Sequence, residues 1–308
     1  VTPEIVTVGW LTVDDIVLTD GTCRQGVRGG GALYSAVGAH LWHASVGIHS
    51  TAGAPHFEET RRLVERRGID ASGISRTDGN GLELWLLHES PVHKQQIPKL
   101  SSSRALDLDR ERGALPTGWQ TARGYHIAPQ GPASGIENVR RLAALPSEPV
   151  VTMDILSDGF IDASAYRDLA FLSGLAAFLP SEAEVARIWN PPDLTEWLTA
   201  TARAHGRPLV VKRGEEGALV ADATGRRARV PAFPAAVVDT TGAGDAFCGG
   251  FLAGLVAGRG LVTAAAMGTV SASYVIEASG ALATPEPAAE ERDDRLRRVL
   301  AGVVRFDP

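Results

Sequence analysis

Two aspartates bracket the stretch of this chain best suited to chemistry, Asp239-Thr240-Thr241-Gly242-Ala243-Gly244-Asp245-Ala246-Phe247. Val237-Val238 before it read as the end of a strand. Small and apolar residues after it continue at helical spacing to Leu255. A glycine-rich turn opening a helix leaves backbone N–H groups unpaired, and the helix dipole adds positive potential, so anions collect there. Asp245 puts a carboxylate inside that anion-attracting turn. Beside a phosphate, such a group can take the proton of an attacking hydroxyl. The chemistry expected is phosphoryl transfer to an alcohol; a turn that merely started a helix would leave both aspartates unexplained.

Other motifs fall away. Gly242-Ala243-Gly244-Asp245-Ala246-Phe247 has Phe where a dinucleotide fingerprint needs its third glycine, and no Gly-Lys-Ser/Thr triplet of a phosphate-binding P-loop occurs. His88-Glu89-Ser90-Pro91-Val92-His93 has one residue too many between its histidines for a zinc-protease helix, which Pro91 would break in any case. Both histidines are expected in a solvated loop, and His40 and His43 read as structural.

The 308 residues suffice for one large α/β domain, and no internal repeat or linker divides them. A hydrophobic fraction of 44% with 21% charged residues is that of an ordinary soluble protein. A net charge of -6 spread along the chain gives nucleic-acid binding no support, and no apolar run has the length to cross a membrane. Cys23 and Cys248 suggest no disulfide framework, and without a leader signal the expected location is the cytoplasm.

Strand and helix patterns alternate along most of the chain. Strands are expected at 4–11, 14–21, 44–51, 82–88, 125–128, 149–153, 176–179, 208–212 and 218–221, with helices at 32–42, 57–67, 134–144, 193–204, 261–277 and 289–303. This rhythm predicts a parallel sheet with helices on both faces. The polar piece 88–104 fits no regular element. Asp154, at the carboxyl end of an expected strand, lies where open α/β sheets bind ligands, and it could equally cap a helix. Ser181 and Glu184 have capping-box spacing.

The 239–247 run resembles the C-terminal signature of the ribokinase-like (PfkB) carbohydrate kinase family. Further matches follow in family order: Val8 to Asp14 as the opening strand, Gly30-Gly31 before a helix, Glu184 after its strand, and Arg213-Gly214-Glu215-Glu216-Gly217 as a turn. The resemblance implies a three-layer α/β/α fold, with a mostly parallel central sheet and a small β lid drawn from about 11–29 and 80–104. It implies an ATP-dependent kinase acting on a hydroxyl of a sugar or sugar-like polyol, with Asp245 as general base and the N–H groups of Gly242, Ala243 and Gly244 around the phosphoryl. Asp14, with Asp15 as its immediate rival, would bind the acceptor together with Gly30, Gly31 and Ser35. Nucleotide contacts fall to Ser181, Glu184, Lys212, Gly214, Gly217, Gly268 and Ser271. Glu184 would hold Mg²⁺ through water, and Asp239 with Thr241 a monovalent cation such as K⁺. Members often dimerise through the lid, which extends to this chain as an expected homodimer.

Ser35 stands where the sugar kinases usually carry Asn, and Ser181 also replaces an Asn; a hydroxyl cannot repeat the two-sided contact of an amide. These departures leave the acceptor open. A nucleoside or inositol kinase is the alternative, with Tyr34, Trp10 or Trp42 stacking on a base or cyclitol face. A catalytically silent ligand-binding module is the alternative outside enzymes.

Overall fold

The computed structural model describes residues 2–90, 94–156 and 162–306. The chain opens with β1 (Ile5–Val8), β2 (Thr12–Val17) and β3 (Cys23–Gly29), then α1 (Gly31–His40) and β4 (Val46–Gly53). Next come α2 (Phe57–Arg66), β5 (Ile74–Thr77), β6 (Leu82–His88), β7 (Lys94–Pro98) and α3 (Ala105–Glu111). The middle supplies β8 (Gly124–Ile127), α4 (Pro132–Ala143), β9 (Val150–Met153), β10 (Ala177–Phe178) and α5 (Glu182–Ile188). Then follow α6 (Leu194–His205), β11 (Leu209–Lys212), β12 (Ala218–Ala221) and β13 (Arg227–Val230). Helices α7 (Ala243–Val256), α8 (Leu261–Val275) and α9 (Ala289–Ala301) precede β14 (Val304–Phe306).

Ten strands form one sheet in the order β14-β13-β12-β11-β10-β9-β8-β1-β4-β5. Pairing is parallel from β11 to β5 and antiparallel from β11 to β14. Strands covered on both faces read as unbroken apolar runs, and β1 shows why. Ile5 packs into the core beneath α1 and α7, while Val6 and Val8 enter the core beneath α4. Strand order reverses at β1, which lies between β8 and β4, so the crevice expected of such sheets opens above β1 and β8.

The second sheet, β3-β2-β6-β7, has four strands. Its register puts Thr12, Asp14 and Ile16 opposite Leu82, Leu84 and Leu86, so these residues share one face. Ile16 and the three leucines bury with Trp10 and Leu108 in a small core of their own. On the other face Trp85 and Ile97 sit side by side and exposed.

The described elements correct several expectations. Within the piece read as irregular, β7 pairs with β6. Val237 and Val238 end no strand: both are exposed, and their loop hangs from Ile276 O, which accepts the N–H groups of Val238 (2.7 Å) and Asp239 (3.2 Å). Strands β3, β5, β13 and β14 and helix α3 were not anticipated. Both cysteines are free, and no helix among the described residues is long and apolar enough to cross a membrane.

Candidate active site

Helix α7 aims its first turn at the crevice. Gly242 is its N-cap at φ 76°, a left-handed conformation that excludes side chains, and an added methyl would run into the Tyr34 ring. Ala243 N–H donates to Thr240 O (3.2 Å), so it is not free for an anion as the motif suggested. Among the described residues, the N–H groups of Gly242 and Gly244 find no acceptor. Asp245 sits directly behind them. A methyl on Gly31, at the start of α1, would lie 2.9 Å from Asp245 Oδ1. Two glycine motifs more than two hundred residues apart therefore meet at one carboxylate. Although Asp245 keeps some contact with solvent, the atoms packed around its carboxyl raise its pKa to about 6. Asp154 adds to the rise, while Lys212 and Lys94 oppose it.

On the other side of Gly31, neighbouring residues Asp14 and Asp15 point in opposite directions, as successive residues of a strand must. Asp15 faces outward, accepting Lys99 Nζ at 2.6 Å and Gly26 N–H at 2.8 Å. Asp14 faces inward, is 2% exposed, and has Oδ1 without a partner. Burial raises it to about 7, and the neighbouring Thr12 side chain, Lys94 and Lys99 pull only partly against that. Thr12 Oγ1, Tyr34 OH and Ser35 Oγ are also buried and unpartnered. Tyr34 OH lies in the field of Asp14, Asp239 and Asp245, which with burial holds the phenol neutral. Ser35 is fully enclosed where α1 crosses α7, its carbonyl so close to Gly249 that a side chain there could not fit. Gly30, at φ 97°, lies against the backbone of Trp10 and Leu11.

Trp10 and Trp42, weighed as stacking surfaces, are engaged elsewhere. Trp10 donates to Asp109 Oδ1 (2.8 Å); Trp42 donates to Ser271 Oγ (2.9 Å) and lies under the Arg292 guanidinium. Ser271, expected near the nucleotide, is buried in helix packing, its hydroxyl donating to Gly38 O (2.9 Å). Gly268 also packs closely, since a methyl there would sit 2.6 Å from Phe247 O.

Charged groups gather on the far side of α7. Lys212, at the end of β11, donates through Nζ to Asp154 Oδ2, just past β9, and lies 3.7 Å from Cys248 Sγ. Ser181 and Glu184 close a reciprocal capping box: Glu184 N–H donates to Ser181 Oγ (3.2 Å), and Ser181 N–H to Glu184 Oε2 (2.6 Å). Burial and the charge of Asp154 raise the Glu184 carboxyl. Three carboxylates, Asp154, Glu184 and Asp245, thus crowd one ammonium. Arg213 to Gly217 makes the turn after β11, with Gly214 open to solvent and Gly217 pressed against Val230 O.

Asp239 is 3% exposed and accepts Thr241 N–H (2.9 Å) on Oδ1 and Ser279 Oγ–H (2.9 Å) on Oδ2. Despite burial, these bonds hold its carboxyl below the usual range. His88 overturns the solvated-loop expectation. It ends β6 with a side chain 5% exposed, Nε2 lying 3.4 Å from Thr241 Oγ1 and 3.8 Å from Asp239 Oδ1. The alternation Leu82, Leu84, Leu86, His88 already aimed it inward. Lys94 opposes it on β7 and shares its face, a placement no sequence motif signalled. Pro91 and His93 lie outside the described residues. No group of three or more His, Cys, Asp or Glu among the described residues could hold a metal ion.

A carboxylate between a helix start with unpaired N–H groups and buried hydroxyls fits a phosphotransferase with an alcohol acceptor. The chain belongs to the pfkB family of carbohydrate kinases, whose model matches residues 5–289. It is 27% identical to a cytidine kinase of Thermococcus kodakarensis over 90% of this chain and 97% of that one. The fold is that of a putative ribokinase II from E. coli, solved with ATP and Mg²⁺ (TM-score 0.76, 18% identity, 96% and 99% of the two chains). It is likewise that of a Burkholderia thailandensis nucleoside kinase solved with inosine (TM-score 0.76, 17% identity, 99% and 100%).

Proposed function

We propose that Asp245 is the general base of an ATP- and Mg²⁺-dependent kinase that phosphorylates a hydroxyl of a sugar-like acceptor. The observation that carries this is the approach of Gly31 to Asp245: the acceptor-side glycines and the base share one point. Asp14, Thr12 and Tyr34 orient the acceptor, whose hydroxyls supply the partners these buried atoms lack. Asp245 takes the proton of the attacking hydroxyl as its oxygen bonds to the γ-phosphorus and ADP departs. The N–H groups of Gly242 and Gly244 stabilise the charge spread over the transferring oxygens. The small sheet acts as a lid that keeps water away.

The mutually raised carboxylates beside the cleft fit a divalent cation, which needs few protein ligands. Glu184, with Oε2 engaged by Ser181, keeps Oε1 for a water of Mg²⁺. Mg²⁺ supplies charge neutralisation between the phosphates. Asp239 and Thr241 are assigned to a monovalent cation at the loop supporting the turn. The exposed Trp85–Ile97 face of the lid supports a homodimer there.

A nucleoside, phosphorylated on its ribose, is the second reading. Similarity along nearly the whole chain to the cytidine kinase favours it. Trp10 and Trp42 are engaged elsewhere, and the Tyr34 ring is covered by Gly242, so a base would be held by polar contacts rather than by stacking on these rings. The test is ADP release with pentoses, hexoses, cyclitols and nucleosides, each with Mg·ATP and with or without K⁺. Turnover with one class is expected; nucleotide binding without turnover on any would contradict the reading and favour a silent binding module.

A further inference from the structure

The Asp154–Lys212 pair has no task in the transfer chemistry above. Its geometry gives it one. The Lys212 backbone is fixed at the carboxyl end of β11, its N–H donating to Pro180 O (2.9 Å) and its Cα paired with Ser181. The side chain then runs into the cleft, where a methyl on Gly244 would lie 3.4 Å from Nζ. Gly244 is the second residue of α7, and its N–H has no acceptor among the described residues. The ammonium and that N–H therefore converge on one place.

Asp154 secures the ammonium from behind. Its carboxylate side chain is 3% exposed and that of Lys212 11%. A buried pair of this kind is a poor source of stability, because desolvation offsets most of the attraction. Lysine has three donors; Asp154 engages one and Cys248 Sγ, more weakly, a second, which leaves the third for an anion. Burial disfavours the Lys212 charge, but Asp154, Cys248 and Glu184 outweigh it and keep the ammonium protonated. Asp154 also accepts locally: its Oδ1 takes Ile155 N–H (2.9 Å), and its Oδ2 takes the Cys248 thiol, with Sγ 3.6 Å away. The carboxylate is thus held on several sides and cannot swing away with the lysine.

We propose that Lys212 is a catalytic cation that contacts the γ-phosphoryl group, and that Asp154 is its positioning residue. Together they let the site distinguish a nucleoside triphosphate from a diphosphate. The inference rests on the kinase reading and deepens it. The ammonium lies at the mouth of the anion-binding turn, where the γ-phosphoryl must pass to reach a hydroxyl beside Asp245. A fixed charge there needs no reorganisation as negative charge shifts across the phosphoryl oxygens.

Calorimetric titration of the whole chain with Mg·ATP and with Mg·ADP, without acceptor, tests it. Lys212→Met should weaken Mg·ATP about tenfold or more while Mg·ADP changes less than about threefold. Asp154→Asn should give a smaller loss, again selective for ATP, and Lys212→Arg should restore part of the selectivity. Lys212→Met leaves a buried carboxylate unpaired and could unfold the chain. The double variant Lys212→Met/Asp154→Asn removes both charges, should melt close to wild type, and should keep the ATP-selective loss. Equal weakening of both nucleotides in the double variant, or unchanged ATP affinity, would overturn the proposal. Wild-type protein that bound neither nucleotide would instead overturn the kinase reading itself, before any substitution was made.

Discussion

The two walls of the cleft are built on opposite principles. On the side proposed to take the acceptor, Thr12, Asp14, Tyr34 and Ser35 hold buried polar atoms with no partner among the described residues. On the side proposed to take the phosphoryl group, Asp154, Lys212, Glu184 and Asp245 are ionisable groups that already shift one another. An unsatisfied buried polar atom costs about 1–3 kcal/mol, which a ligand hydroxyl can recover. A charged cluster is instead organised before the ligand arrives, so its field acts without rearrangement. The difference suggests a division of labour: the acceptor wall recognises by being completed, and the phosphoryl wall acts by being complete. The walls touch at Gly31 and Asp245, and again where the Tyr34 ring underlies Gly242.

Outside the base itself, the largest expected effect falls on Asp14. Asp14→Asn should raise acceptor KM on the order of 100-fold with ATP KM unchanged; an equal rise in both would erase the contrast between the walls. The same variant changes stability. With a folded pKa near 7 against an ordinary 3.8, Asp14 binds its proton more tightly in the folded chain. Its contribution is therefore fully present below about pH 4 and lost as pH rises through 7. Asp14→Asn should melt a few degrees higher than wild type at pH 8, with less gain at pH 4, as thermal melts at both values would show.

The next effect is on pH dependence. Asp245, raised to about 6, must be deprotonated to act. The acceptor kcat/KM should fall about tenfold per pH unit below 6 and level off above it. Asp14→Asn should keep this limb, since the titrating group lies on the other wall; a limb that vanished with Asp14 would reverse the assignment. The smallest effect is at Asp15, on the outer face. Asp15→Asn loses the Lys99 ion pair and should cost about 1 kcal/mol of stability, with acceptor KM within about twofold of wild type.

What the sequence revealed follows the same division. The 239–247 run, the Gly30-Gly31 pair and the Ser181–Glu184 spacing are contiguous, so their local conformations could be read directly. The alternation of helices and apolar strands likewise gave the layered sheet, because β1, β4, β8 and β11 are buried on both faces. Strands β3 and β7 escaped notice because they are largely exposed and polar, without the apolar alternation that marks a strand. The rivalry of Asp14 and Asp15 needed only the strand's facing, which a one-residue shift reverses. Ser271 and Gly268 were harder to read, because small residues in an Ala-rich helix serve close packing as readily as ligand approach. The partnership of Asp154 and Lys212, 58 residues apart, depends on β9 and β11 ending on the same side of the sheet, with β10 between them.

The most direct measurement is turnover of Asp245→Asn with the acceptor found in the panel, alongside calorimetric titration with Mg·ATP. The account predicts a fall in kcat of about 10²–10⁴-fold, with ATP affinity close to wild type. Turnover near wild type in a variant that still binds ATP would contradict the assignment of the base, and with it the meeting of the two walls at this carboxylate.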